Sequence, residues 1–342
     1  MAPAFKDLYE SIVLHPQSDT LSTNAYLIFL ITGNPGLVGY YRSYLHTLHA
    51  LCTDDTSPGD NHVQPSSTHI YSCSLAGFET TPRPGTATHP TPYDLDQQIA
   101  YIDDALSHAH DEVQSLTSSS NIRVVLIGHS VGAYMLMEIL RWRKQSASMM
   151  RIVGGICLTP TVVDLRGSPS GRKVFHIGSQ PLFATVATAV ANALLWPVPD
   201  AVLLRLVKAV TGMPDEAAQT TFEFLRSPRG VHQALHLLRF ELAQMTTDKW
   251  DDEIWGVVEP AGGRGRTKLF FCFADDDHWV ASETRDQLIA ARAWSGNAGE
   301  EDRPEMEIDS MGLPHAFCLR HSEAVAEKTM QYIHKLVLSD RQ

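Results

Sequence analysis

The chain has 342 residues, 44% of them hydrophobic, so it can bury one large core with an insertion, which excludes a linker or tail. Its formal net charge of -12 excludes nucleic acid as a natural partner, because phosphate-backbone affinity rests on clustered Lys and Arg. Five cysteines form an odd set spread along the chain, three of them (Cys157, Cys272, Cys318) within apolar runs, which reads as packing thiols in a reducing compartment.

In chain order, Met1-Ala2-Pro3-Ala4-Phe5-Lys6-Asp7 lacks the basic and apolar regions of a secretory signal, which predicts residence on the cytosolic side. Ala25 to Ile31 is a continuous apolar run that stops at Thr32-Gly33-Asn34-Pro35-Gly36, the pattern of a strand buried on both faces that meets a sharp loop. Similar runs recur at His69 to Leu75, Ile122 to Ile127, Ile152 to Leu158 and Lys268 to Phe273. Amphipathic stretches at Asp94 to Glu112, Val131 to Arg143 and Ser282 to Trp294 predict helices between them, and Ser322 to Leu338 a final one. This alternation predicts an α/β fold, a mostly parallel sheet with helices on both faces. Asp54 to Ser67 and Asn297 to Pro304, rich in Asp, Ser, Pro, Gly and Glu, read as surface loops.

From about Pro160 to Trp250 only helical patterns occur. The domain reading is therefore a core of residues 1–160 and 251–342 with a helical cap at 161–250. Within it, Pro181 to Val198 carries no charge, Ala201 to Val207 continues the apolar character, and Pro197 and Pro199 divide two halves. Each half is short of the roughly 20 residues needed to span a bilayer. A hairpin-like unit over 181–210 that dips into a lipid monolayer fits the pattern, as does an apolar cap over the active site; Arg205 and Lys208 could snorkel at an interface.

The chemistry centres on Gly128-His129-Ser130-Val131-Gly132, placed between a predicted strand and a predicted helix. A nucleophile elbow requires that context: the turn strains the serine backbone, and side chains at Gly128 and Gly132 would collide. A serine hydroxyl needs a base, and the base an orienting acid, in the chain order Ser, Asp, His. Ala274-Asp275-Asp276-Asp277-His278-Trp279 follows a predicted strand and offers the acid: Asp277 is favoured by its place beside the helix start, with Asp276 the fallback, and the unused aspartates suit N-capping. His315, in the loop before the last helix, follows both and is the candidate base. For the oxyanion, Val131 N–H is the first expected donor; in the loop after the first strand Pro35 has no N–H, leaving Asn34 as second donor and Gly36 behind it.

These residues resemble the lipid droplet-associated hydrolase family. The resemblance rests on Gly33 to Gly36 with the aromatic pair Tyr40 and Tyr41, on the elbow at Gly128 to Gly132, on Thr159-Pro160-Thr161 with Ser168 to Gly171, on the Asp-x-Trp of Asp277 to Trp279, and on Pro314-His315-Ala316-Phe317. The Asp-x-Trp match also selects Asp277. Thr32 and His278 stand where the family has proline. The resemblance implies an α/β-hydrolase fold and a cytosolic-face hydrolase of lipid droplets and the endoplasmic reticulum, with sterol esters or triacylglycerols as substrates.

The expected activity is that of a serine esterase forming an acyl-serine intermediate, with a lipid substrate as partner and a lipid droplet monolayer or endoplasmic reticulum membrane engaged through 181–210. The alternatives are a weakly active hydrolase-fold protein that organises droplets, or a soluble hydrolase of small esters or thioesters. No cofactor and no metal is expected: the sequence has neither a HExxH motif, nor a Cys-His cluster at metal spacing, nor a phosphate-binding P-loop.

Overall fold

The computed structural model describes residues 4–16, 25–53, 67–80, 92–117, 119, 121–146, 148–259, 265–296 and 302–340. The loops predicted at Asp54 to Ser67 and Asn297 to Pro304 fall mostly outside them. Seven strands, β1 (Ser11–Leu14), β2 (Ala25–Ile31), β3 (Thr68–Cys73), β4 (Ile122–His129), β5 (Arg151–Leu158), β6 (Lys268–Phe273) and β7 (Glu305–Ile308), form one sheet in the order β1-β3-β2-β4-β5-β6-β7. Among the described residues only β1 pairs antiparallel.

β2 is buried at every position, which is why it reads as an unbroken apolar run. Its residues alternate between two cores. Leu27, Phe29 and Ile31 pack with α3 (Leu95–Thr117) and α4 (Val131–Gln145), whereas Ile28 and Leu30 pack with α2 (Arg42–Thr53) and α11 (Ser322–Asp340). Every residue of α4 from Val131 to Leu140 is buried, so the helix that follows the elbow is fixed by packing on all sides. The five cysteines are buried and free.

The remaining helices are α1 (Phe5–Leu8), α10 (Ser282–Arg292) and a set between β5 and β6: α5 (Pro169–Gly178), α6 (Phe183–Leu195), α7 (Asp200–Thr211), α8 (Asp215–Arg226) and α9 (Gly230–Gln244). The insertion is thus helical among the described residues. Strand order reverses between β2 and β4, because the chain steps outward from β2 to β3 and returns to β2's other side as β4. The carboxyl ends of strands at such a switch point form the crevice where open α/β sheets place their sites.

Candidate active site

Ser130 leaves the end of β4 with φ 54° and ψ -124°, a conformation that side-chain-bearing residues rarely adopt. The two glycines make it possible. A Cβ on Gly128 would lie 2.5 Å from Gly132 O, and one on Gly132 2.4 Å from Ile31 O. The turn is closed by Ser130 N–H donating to Leu158 O at 3.2 Å, and by Ser130 O accepting from Ala133 N–H at 3.0 Å.

His315 and Asp277 come from the loops after β7 and β6. His315 Nε2 lies 2.9 Å from Ser130 Oγ, and His315 Nδ1 lies 2.7 Å from Asp277 Oδ2. Asp277 is buried, and its other oxygen accepts from Trp279 N–H at 2.8 Å, a turn that fixes the carboxylate's direction. A carboxylate only accepts, so His315 carries its hydrogen on Nδ1 and leaves Nε2 free to accept from the serine. Asp276, the fallback, is exposed, and the hydrogen bond of His315 Nδ1 goes to Asp277.

The loop after β2 closes the other side. A Cβ on Gly33 would lie 3.1 Å from Ser130 Cβ, so the Gly33-Asn34 backbone passes directly against the serine. Val131 N–H, at the first position of α4, has no intrahelical partner. The Asn34–Pro35 peptide is cis.

Sequence reasoning missed the bracing of these loops, part of which falls to residues it had named only as members of motifs. His129 Nε2 donates to His315 O at 2.9 Å, so its Nδ1 accepts, from Tyr41 O–H at 2.5 Å; the Tyr41 oxygen accepts in turn from Gly33 N–H at 2.9 Å. Burial pushes His129 down to about 3, with the neighbouring His315 adding to the effect, so it stays a neutral ring. The Thr159 hydroxyl donates to the same His315 carbonyl at 2.9 Å. Asp309 Oδ2 accepts from Met311 N–H and Leu313 N–H and so shapes the turn leading to His315. Arg285 of α10 donates to Asp275 O at 2.8 Å and holds the turn carrying Asp277. Tyr41 had a signal as half of an aromatic pair, His129 as an elbow residue and Thr159 in the Thr159-Pro160-Thr161 run, whereas Asp309 and Arg285 had none.

An ordered Ser-His-Asp array beside the Val131 amide at a helix start is equipped for acyl transfer. The sequence pattern of the family described as Lipid-droplet associated hydrolase matches residues 24–318. The chain belongs to the lipid-droplet associated hydrolase family. It is 23% identical over 313 residues to the lipid droplet-associated hydrolase of Mus musculus, covering 90% of this chain and 84% of the relative. It is 25% identical over 316 residues to that of Gallus gallus, covering 88% and 82%. In fold it is similar to a peroxisomal alpha-beta-hydrolase from Saccharomyces cerevisiae, with TM-score 0.59, 13% identity and coverage of 96% of this chain and 82% of that one. An epoxide hydrolase from Vigna radiata aligns with TM-score 0.52 at 13% identity, over 95% and 94%. These likenesses show an α/β-hydrolase fold.

Proposed function

We propose that this member of the family is a serine esterase that cleaves neutral lipid esters, sterol esters or acylglycerols, at the surface of a lipid droplet or on the cytosolic face of the endoplasmic reticulum. The observation that carries the reading is the hydrogen-bonded line Ser130 Oγ, His315, Asp277. Ser130 Oγ attacks the ester carbonyl carbon as His315 Nε2 takes its proton, and Asp277 stabilises the imidazolium. The amides of Val131 and Asn34 receive the oxyanion. His315 returns the proton to the departing alcohol, which leaves an acyl-serine. Water, deprotonated by His315, then releases the carboxylic acid and restores Ser130. Gly128, His129 and Gly132 supply the elbow, and the chemistry needs no metal or cofactor.

The surface part of the proposal rests on the helical insertion, residues 161–250, read as a cap. Leu182, the residue before α6, and Val186, Val190 and Leu194 within it recur at a spacing of four and are all exposed. Val202, Leu206 and Val210 do the same on α7, with Trp196 exposed between the helices. The opposite faces are packed: Ala184 and Thr188 of α6 are buried, and Leu203 and Val207 of α7 form a small core with Ala218. Two helices that show apolar stripes outward while burying their other sides are built to lie in an interface. No single helix among the described residues is long and apolar enough to cross a membrane. Half-immersion of these side chains would contribute roughly 5–10 kcal/mol in all. Lys208 is tied to Asp215 at 2.8 Å, at the edge of the stripe.

The test is a substrate panel of emulsified triacylglycerol, monoacylglycerol and cholesteryl ester with a soluble short-chain ester, run on the protein and on Ser130→Ala. Hydrolysis of an emulsified ester that disappears in the variant is the expected result. Equal turnover by both proteins overturns the esterase reading. Turnover of the soluble ester alone points to the small-ester hydrolase instead.

A further inference from the structure

The segment bearing the second amide donor is anchored from the insertion, among the described residues by the side chain of Asn34 alone. Asn34 Nδ2 donates to Ala234 O at 3.0 Å and to Glu241 Oε1 at 2.8 Å, both on α9. Asn34 Oδ1 is buried without a partner. The loop's other ties lie on either side of it, Gly33 N–H to Tyr41 and Gly36 O accepting from Leu75 N–H, and Pro35 has no N–H to offer. The direction of the Asn34 peptide therefore depends on where α9 holds the Asn34 side chain.

Glu241 is an expensive way to make that hold. It is 5% exposed, and among the described residues Asn34 Nδ2 is the one hydrogen-bonding partner of its carboxyl. Burial pushes the carboxyl up to about 7, the bond from Asn34 pulling it back only in part. Among the described residues no counter-ion relieves it. α6 carries no titratable side chain; Arg166, from the turn before α5, donates to Leu242 O; Asp96 of α3 accepts from Gln244; and none of Arg172, Lys173 and His176 of α5, Arg226 of α8, or His232, His236 and Arg239 of α9 forms an ion pair with Glu241. A buried carboxyl with one hydrogen bond lowers stability. Leucine would fill the same position without that penalty.

We propose that Glu241 is a positioning residue of the Ser130 site, which aims the Asn34 amide at the forming oxyanion by gripping the Asn34 side chain. The proposal rests on the reading of Ser130 as a nucleophile. A carboxylate grips an amide N–H more strongly than a neutral carboxyl does. The grip tightens as Glu241 ionises, so the reaction gains rate through pH 7 while the fold loses stability there. The sign of the second effect follows from linkage: the folded carboxyl is raised above its unfolded value, so its stability contribution is complete below that value and lost as pH rises through the folded one. α9 also packs on α6, so this residue belongs to the layer that carries the exposed apolar stripe.

The experiment compares wild type, Glu241→Gln, Asn34→Ala and the double variant by fluorophosphonate labelling, soluble-ester kinetics and thermal melting across the pH range. At about pH 8, Glu241→Gln is expected to melt higher, because a buried charge is gone, yet to lose about five- to tenfold in kcat with KM unchanged. As pH rises through about 7, its kcat should lack the roughly five- to tenfold step that ionisation of Glu241 gives the wild type. Asn34→Ala should lose kcat as well, and the double variant no more than the larger single loss. An unchanged kcat and pH profile in Glu241→Gln, a lower melting temperature with kcat and KM impaired together, or additive losses would each overturn the proposal. Failure of the wild type to label at Ser130 would sink the nucleophile reading itself, a separate result.

Discussion

Tyr41 donates its hydroxyl hydrogen to His129 Nδ1 across 2.5 Å, with both side chains buried. The carbonyl of His315 on the far side of the imidazole dictates that direction, because it can only accept. One proton order therefore runs from Gly33 N–H through Tyr41 and His129 to the backbone of His315, joining the loops after β2, β4 and β7. Replacing Tyr41 with Phe leaves Gly33 N–H and His129 Nδ1 buried and unpaired. The expected loss is about 1–3 kcal/mol for each orphaned group, read by urea unfolding, with a slower esterase rate as the Gly33 loop loosens.

The two neighbouring aspartates should behave differently. Asp277→Asn keeps the shape but removes the acceptor that holds His315 in its Nδ1–H tautomer, so kcat on a soluble ester should fall about 10³- to 10⁴-fold with little change in melting temperature. Asp276→Asn, on an exposed side chain, should leave kcat within about twofold.

Substituting the elbow glycines should cost structure before it costs chemistry. A methyl at Gly128 meets the Gly132 carbonyl at 2.5 Å and the backbone of Ala133 at 2.6 Å, and backbone cannot step aside as a flexible side chain can. Gly128→Ala and Gly132→Ala are expected to lose about 3 kcal/mol or more, seen as a large drop in melting temperature or in soluble yield.

The outward stripe of α6 gives a prediction with two independent readouts. Val186→Asp with Val190→Asp places charges on exposed positions and so should leave folding and soluble-ester hydrolysis within about twofold of wild type. Flotation with phospholipid-coated triacylglycerol emulsions should fall by about tenfold or more. Undiminished flotation would remove α6 from the account and leave the insertion as a cap alone.

The central strands were legible because burial on both faces leaves an unbroken apolar run, as in Ala25 to Ile31. β1 and β7 were not. Each is four residues long at a sheet edge, with mostly half-buried or exposed side chains, so neither has a continuous run nor a clear alternation. Helix α2 escaped for a related reason: Arg42, Ser43, His46, Thr47 and His49 interrupt an apolar face marked by Tyr44, Leu45, Leu48, Leu51 and Cys52. At the site, Ser130, Asp277 and His315 could be read because each follows a strand or precedes a helix in a fixed order. Tyr41 acts on His129, 88 positions away, and Glu241 on Asn34, 207 positions away, and no local pattern encodes such pairings; Asp309 and Arg285 act close by in the chain, in turns whose side-chain directions only the fold sets.

The most direct test of the whole account is fluorophosphonate labelling of the purified protein, followed by peptide mass spectrometry. A single adduct on Ser130, absent in Ser130→Ala and strongly slowed in His315→Ala, is the predicted result. An unlabelled wild type, or an adduct that persists in Ser130→Ala, would contradict it.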